Sequence, residues 1–450
     1  VKKTWANLPP KNMIVQMNEF IKNLKTPIAI VGMGKSGDAA YKLLQHFGFA
    51  KESLFTFDGK LETAHFKDPE AMMATAQPQT LVVSPGVPLT AGWIQKARQN
   101  GVKITSEISL AAACLTSEKL IGVTGSVGKS TTVSLLGAGL ESFSHTGFVG
   151  GNLGIPFCEY ALQVVEGKRP AADWVVLELS SYQLENCEGL KLDYSAITYF
   201  TSNHLERYES LQHYYDTKWS ILSLTKNAMF LNSEGGDLVE YYKTNGDHEQ
   251  VKIISKNDPA MAALHLEKAL LIGQHNQDNL ALASALALEA GWPKSSVEAM
   301  KNFKGLAHRL ENVGTYKGIR FINDSKATAM DSVLIATTAA YDTLANQGKL
   351  YLLLGGRDKN LPWQDLIPLK NFKGMEFIFF GECRVIAQNK SLLPGKAFAR
   401  LEEALHYALQ EAKEKDTVLL SPGGTSLDEF KSFEDRGNFF KKKIEDFAKR

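Results

Sequence analysis

The stretch Thr124-Gly-Ser-Val-Gly-Lys-Ser-Thr131 carries the residue types that a polyphosphate needs. It follows the apolar run Lys119-Leu-Ile-Gly-Val-Thr124, a predicted strand, and opens a helix from about Ser130. There Gly125, Ser126, Val127 and Gly128 can turn backbone N–H groups toward phosphate oxygens, and the helix N-terminus adds positive potential. Lys129 can reach the β- and γ-phosphates, and the Ser130 hydroxyl, with Thr131 next to it, is placed to ligate Mg²⁺. The common G-x-x-x-x-G-K-[ST] spacing asks for glycine at 123, but here 123 is Val and the glycine stands at 122.

A second glycine-rich turn, Gly32-Met-Gly-Lys-Ser-Gly37, also follows a predicted strand, and Asp58 ends the next one. This is formally G-x-G-x-x-G, which suits NAD or a nucleoside diphosphate such as UDP equally well. Nothing local to the motif separates the two. Glu178 and His204 end two further strands beside the first phosphate loop. An oxygen and a nitrogen ligand in that position suit divalent metal bridging phosphate and substrate.

These residues need elements to hold them. Pro27–Val31, Ser53–Phe57 and Thr80–Val83 read as strands, with a helix over Asp38–Phe47, a βαβ series. Lys119–Thr124, Trp174–Leu179 and Ala196–Phe200 read as strands of a second block, closed by an Ala- and Leu-rich helix near Asn276–Ala290. Lys349–Leu354, Phe377–Phe380 and Thr417–Ser421 are buried-type strands of a third. The expectation is α/β throughout, with ligands at the carboxyl ends of the strands. The 450 residues agree with about three domains at roughly 150 residues each.

Composition narrows the function classes. A hydrophobic fraction of 44% with 22% charged residues excludes disordered and fibrous chains. A net charge of +1 gives no global pull on nucleic acid or anionic membrane. Four scattered cysteines fit neither a disulfide framework nor a zinc site and read as reduced thiols. No apolar run reaches the roughly 18 residues of a membrane span, and Val1-Lys2-Lys3-Thr4-Trp5 leads into no apolar leader, so a cytoplasmic protein is expected.

Taken together and in order, the motifs resemble the Mur ligases. They are the phosphate loop, Gly150-Gly-Asn-Leu-Gly154, Glu178-Leu-Ser-Ser-Tyr-Gln183, Asn203-His-Leu-Glu-Arg-Tyr208, Gly273-Gln-His-Asn-Gln-Asp-Asn279, His308-Arg309 and Asn323-Asp-Ser-Lys-Ala-Thr328. Ser84-Pro-Gly86 and the tail Leu420–Gly437 are similar to the members that add D-glutamate. The resemblance implies three α/β domains: a Rossmann-like UDP-binding domain at 1–113, a P-loop ATPase-type domain at 114–304 and a Rossmann-like amino-acid-binding domain at 305–450. It implies ATP-dependent ligation of D-glutamate to UDP-N-acetylmuramoyl-L-alanine through an acyl phosphate, in peptidoglycan precursor synthesis, by a monomer.

The same resemblance assigns residues. Lys129, Glu178, His204 and Lys218 would be catalytic. Two Mg²⁺ ions would be held by Ser130, Glu178, His204 and Lys218, the last as a carbamate. ATP would meet His275, Asn276, Asn279, Arg309, Asp324 and Lys326, although Asn276 and Asn279 also suit helix caps. The UDP part would meet Gly34, Lys35, Ser36, Asp58, Lys60, Ser84, Pro85 and Gly86, and the muramoyl part Asn152 and His204. D-Glutamate would meet Thr328, Lys359, Ser426, Leu427 and Phe433. Three positions depart from the usual family pattern: Val127 and Ala329 stand in place of Asn, and Asn203 in place of Asp. The other readings are a folate-type or other Mur ligase, a non-catalytic nucleotide-binding paralogue, and an NAD oxidoreductase resting on the first glycine-rich turn alone.

Overall fold

The structure is a computed structural model and describes residues 19–201, 207–246, 248–344 and 348–449. It contains three sheets. The first consists of β1 (Ile28–Val31), β2 (Leu54–Phe57), β3 (Thr80–Val83) and β4 (Lys103–Thr105), all parallel, in the order β2-β1-β3-β4. The second consists of β5 (Lys119–Thr124), β6 (Phe148–Gly151), β7 (Trp174–Glu178), β8 (Leu192–Ile197), β9 (Thr225–Asn232) and β10 (Val251–Ile254), in the order β10-β9-β8-β5-β7-β6 and again parallel. The third consists of β11 (Glu311–Tyr316), β12 (Ile319–Asn323), β13 (Leu350–Gly355), β14 (Met375–Phe380), β15 (Gly395–Phe398) and β16 (Thr417–Gly423), in the order β11-β12-β16-β13-β14-β15.

β1, β3, β5, β7 and β13 are buried at almost every position, because helices cover both faces of a parallel sheet. Among the described residues the one antiparallel strand pair is β11 with β12, an edge hairpin that the reading of the sequence lacked. β11 alternates half-buried and exposed residues and so has no continuous apolar run to announce it. β8 begins at Leu192 and ends at Ile197, earlier than expected from its apolar stretch, because Thr198 and Tyr199 turn toward the phosphate loop. The helix after β1 starts at Lys35, so Lys35 and Ser36 belong to its first turn.

Two compact units result. One comprises Val1–Leu266 with Asp278–Met300, the other Glu267–Gln277 with Lys301–Arg450. The first two sheets share the first unit because their helices share a core. Helix Lys35–His46 packs on helix Phe157–Val165, and Leu43, Leu44, Phe157 and Leu162 lie in one apolar cluster. Among the described residues no helix is long and apolar enough to cross a membrane. The four cysteines are free and buried.

One charged residue sits inside this shared core. Glu107 is 2% exposed, and its carboxylate accepts the Cys158 N–H at 3.0 Å. Burial pushes its pKa up to about 7, with the Cys158 N–H and the Gln183 amide acting in the opposite direction. A carboxyl whose affinity for its proton rises on folding contributes most stability below its unfolded value and loses it as the pH climbs from about 4.5 to about 7. Glu107→Gln is therefore expected to stabilise the protein above pH 7, by an amount on the order of 3 kcal/mol at most. The gain should vanish below pH 4.5, the unfolded value. Thermal melts of the two proteins across pH 4 to 8 read this directly; a constant difference would refute it.

Candidate active site

In the first unit, β5 ends at Thr124, and after the four-residue loop Gly125–Gly128 helix Lys129–Glu141 begins. The turn between them is shaped by two glycines in the left-handed region of backbone space. Gly125 has φ +144, and a Cβ there would sit 2.1 Å from Thr198 Oγ1. Gly128 has φ +88, and a Cβ there would meet Asn279 Oδ1 at 2.7 Å. Only glycine fits either place. Gly122, the residue displaced from the usual spacing, has a packing role instead: a Cβ there would lie 2.5 Å from Leu192 Cδ1. The loop is held from β8. Ser126 N–H donates to Tyr199 O at 2.7 Å, Ser126 Oγ to Thr201 O at 3.0 Å, and the Thr198 hydroxyl to Val127 O.

Two lysine amines converge on this loop. Lys129 Nζ donates to Gly125 O at 2.7 Å and to Ser126 O at 3.0 Å. Lys218, from helix Leu211–Trp219, donates to the same Gly125 O at 2.9 Å. The Lys218 side chain is 2% exposed and its ammonium lies 4.8 Å from the centre of the Tyr214 ring. Burial, then the charge of Lys129, drive its pKa well below that of an ordinary lysine, with Glu178 pulling the other way. Both effects favour the neutral amine over the ammonium.

Glu178 ends β7, next to β5 in the sheet, where Val123 pairs with it. It is buried. Oε1 accepts Asn152 Nδ2 at 2.6 Å, while Oε2 has no protein partner. Gly151 makes this possible: with φ +96 it passes so close to Glu178 O that a Cβ would lie 2.5 Å away, and Asn152 N–H then bonds that oxygen at 2.9 Å. A buried carboxylate oxygen without a donor is costly unless a cation meets it. The orphaned Glu178 oxygen and the buried Ser130 hydroxyl are oxygen donors of the kind a hard divalent cation takes; Lys218 would join them only as a carbamate. His204 and Asn203 lie outside the described residues.

The first sheet presents a separate surface in the same unit. The Gly32 turn follows β1 and the Ser84-Pro85-Gly86 turn follows β3, on either side of the point where the strand order reverses. Ser84 Oγ donates to Gly32 O at 2.6 Å, and Gly37 packs so tightly on Gly32 O that a Cβ would lie 2.0 Å from it. Gly34 and Gly86 are different. Neither needs a positive φ, and a Cβ on either would meet no protein atom within 4 Å. Such glycines leave room for a ligand to approach the backbone. Asp58 receives the N–H groups of Met33 at 2.9 Å, Lys60 at 2.9 Å and Leu61 at 3.1 Å, which hold its carboxyl below the usual range. Lys35 and Lys60 are exposed around this surface and Ser36 is half-buried.

Helix Gln274–Glu289 carries His275, Asn276 and Asn279, but not as caps. Asn276 lies inside the helix and donates to Ile272 O at 2.7 Å, and Asn279 Oδ1 lies 3.4 Å from the Thr132 hydroxyl beside the phosphate loop. Asn279 belongs to the first unit, His275 and Asn276 to the second.

In the second unit the expected residues gather at the carboxyl ends of β12, β13 and β16. Asp324 follows β12 and is buried. Ser421 Oγ donates to its Oδ2 at 2.9 Å and Leu310 N–H to its Oδ1 at 3.1 Å. Burial pushes its pKa up to about 7 against those bonds and the nearby Arg309. Lys326 Nζ lies 5.1 Å from the centre of the Phe433 ring. Ser426 is buried, whereas Thr328, Lys359 and Leu427 are exposed.

The residue that joins these loops was missed in the sequence. Arg436 is fully buried, and its guanidinium donates to Ser325 Oγ at 3.0 Å, Ser325 O at 2.8 Å and Gly424 O at 3.1 Å. It ties the Asp324-Ser-Lys326 turn to the Gly423–Ser426 loop. A buried arginine with neutral partners gives no charge pattern to read; its only sequence signal is an arginine on the apolar side of helix Phe433–Lys449.

Residues 123–287 match the Mur ligase middle domain. The chain is 33% identical to the UDP-N-acetylmuramoylalanine–D-glutamate ligase of Myxococcus xanthus, over 93% of this chain and 98% of that protein. It is 32% identical to the Elusimicrobium minutum protein of the same name, over 92% and 96%. The chain belongs to the Mur ligase family. Its fold is similar to that of the solved MurC from Thermotoga maritima, with a TM-score of 0.56 at 18% identity over 94% of this chain and 100% of that one. MurF from the same organism, in complex with ADP, gives 0.57 at 14% identity over 98% and 100%. The three sheets are the three α/β domains of a Mur ligase.

In this Mur ligase, Arg436→Met should leave three buried acceptors without a donor and cost about 3 kcal/mol. Arg436→Lys should recover little, since an ammonium cannot span Ser325 and Gly424 as a planar fork does. Urea unfolding of the full chain measures both; a midpoint shared with the native chain would refute the assignment.

Proposed function

We propose that this chain joins D-glutamate to UDP-N-acetylmuramoyl-L-alanine with hydrolysis of ATP to ADP and phosphate, making an amide bond of a peptidoglycan precursor, as a cytoplasmic monomer. The curated relatives carry the name of that reaction over nearly their whole length. The observation that carries the mechanism is the meeting of Lys129 and Lys218 on Gly125 O beside the orphaned oxygen of Glu178. In this reading residues 1–113 take the nucleotide sugar, 114–304 take ATP, and 305–450 take D-glutamate.

A carboxylate does not condense with an amine at neutral pH. The alanyl carboxylate attacks the γ-phosphate of ATP in line, a P–O bond forms and ADP leaves with the electron pair. The amine of D-glutamate then attacks the acyl carbon, and phosphate departs from the tetrahedral intermediate. Both steps gather negative charge, which Lys129 and the N–H groups of the loop are positioned to meet. Magnesium ions held by Ser130, Glu178, His204 and Lys218 would neutralise the phosphates and orient the carboxylate. The neutral Lys218 amine suits capture of CO₂: an N–C bond forms, a proton is released, and an anionic carbamate replaces the amine. Thr328, Lys359, Ser426, Leu427 and Phe433 supply donors and apolar contact for D-glutamate.

Phosphate release with the nucleotide substrate and ATP should depend on D-glutamate and stay at background with L-alanine or meso-diaminopimelate. Equal release with all three would refute the specificity. Lys218→Ala should lower the rate by about 100-fold or more, and added formate or acetate should restore part of it. Full activity without added carboxylate would remove the carbamate.

A further inference from the structure

Arg207 lies in the first unit, in the same stretch of chain as Glu178's expected partner His204. Its side chain is 10% exposed. Every face of the guanidinium is used. One N–H group donates to Pro85 O at 2.8 Å and another to Val87 O at 3.4 Å. The same end pairs with Glu185 Oε2 at 2.8 Å, and the plane lies 3.9 Å from the centre of the Tyr182 ring. Glu185 is itself fixed, because its Oε1 accepts the Tyr208 hydroxyl at 2.7 Å.

Pro85 and Val87 flank Gly86 in the turn that follows β3. Val87 N–H closes that turn onto Ser84 O at 3.0 Å, and Ser84 Oγ anchors its start to Gly32 O. The turn is thus pinned twice: by the first sheet through Ser84, and by the second domain through Arg207. Between the two pins stands Gly86, with open space where a side chain would be. Ser84, Pro85, Val87, Tyr182, Gln183 and Arg207 also line one small cavity of about 10 Å³, too small for more than a water.

We propose that Arg207 is a positioning residue for the nucleotide-sugar substrate: from the second domain it sets the height of the Ser84–Val87 turn, so that the open backbone at Gly86 meets the substrate. It rests on the function proposed above and deepens it. Arg207 need not touch the substrate. A bidentate, stacked guanidinium sets this distance with little freedom, which a lysine cannot reproduce. A turn displaced by about 1 Å is enough to change binding strongly.

The test uses the full-length enzyme with Arg207→Met, Arg207→Lys and Glu185→Gln. Arg207→Met should raise KM for UDP-N-acetylmuramoyl-L-alanine about tenfold or more, with KM for ATP and for D-glutamate within about twofold and kcat little changed. Arg207→Lys should fall between, and Glu185→Gln should shift the same constant less. If Arg207→Met fails to fold, the other two variants read the same split. A nucleotide-sugar KM within twofold of the native value, or a parallel change in all constants, overturns the proposal. Calorimetric titration of UDP-N-acetylmuramoyl-L-alanine without ATP separates the two levels. A native enzyme that binds it but does not turn it over sinks the proposed function alone, whereas equal binding by native and variant enzymes sinks the role of Arg207.

Discussion

A carbonyl oxygen shared by two lysine amines is a poor arrangement for folding alone. Lys129 and Lys218 both donate to Gly125 O, and Lys218 has almost no exposed surface. Two ammonium ions there would repel each other in a place with little water to screen them. Losing the charge on Lys218 relieves the repulsion, and so would a phosphate or a carbamate. The rest of the first unit is built to hold this pair. β5, β7 and β8 run parallel and end together, so that Gly125, Glu178 and Thr198 arrive at one edge. Glycines at 125, 128 and 151 remove the side chains that would keep those ends apart.

The second unit solves a related problem with one residue. Its loops after β12 and β16 stand together, yet each presents backbone carbonyls that need donors. Arg436 meets them from inside. Burial holds its guanidinium down to about 10, still far above neutrality, so it remains a cation with no hydrogen-bonded carboxylate. Ser325 completes the joint by donating to Phe433 O at 2.8 Å. Phe433 is thereby fixed at the start of its helix, beside Lys326.

Elements with one dominant local signal could be read from the sequence. β3, β5 and the helix after the phosphate loop are apolar runs or a run broken by Gly-x-x-Gly, and they lie within a residue of their expected bounds. The phosphate-loop residues and Glu178 were legible because their chemistry depends on spacing along the chain. Arg207, Arg436 and Glu107 were not, because each acts between segments far apart in sequence. The partners of Arg207 are Pro85 and Glu185, those of Arg436 are Ser325 and Gly424, and Glu107 receives Cys158. Asn152 shows the intermediate case. Its motif was visible, but its bond to Glu178 became evident only when β6 and β7 were seen to pair.

Val127 shows which contacts shape the phosphate loop. An asparagine is usual at this position in the family, and its loss could be read as damage to the nucleotide site. The side chain of Val127 is 36% exposed, whereas its carbonyl is held by the Thr198 hydroxyl. Ser126 is fastened on both its N–H and its hydroxyl, and Gly125 and Gly128 adopt conformations that side chains rarely allow. The curvature of the loop therefore comes from its backbone and from β8, not from residue 127. Replacing an amide by an isopropyl group there removes one polar contact at the solvent face and leaves the phosphate-facing N–H groups where they were. Lys129 and Ser130 differ from Val127: Lys129 Nζ bonds Gly125 O and Ser126 O, Ser130 is buried, and both residue types are retained.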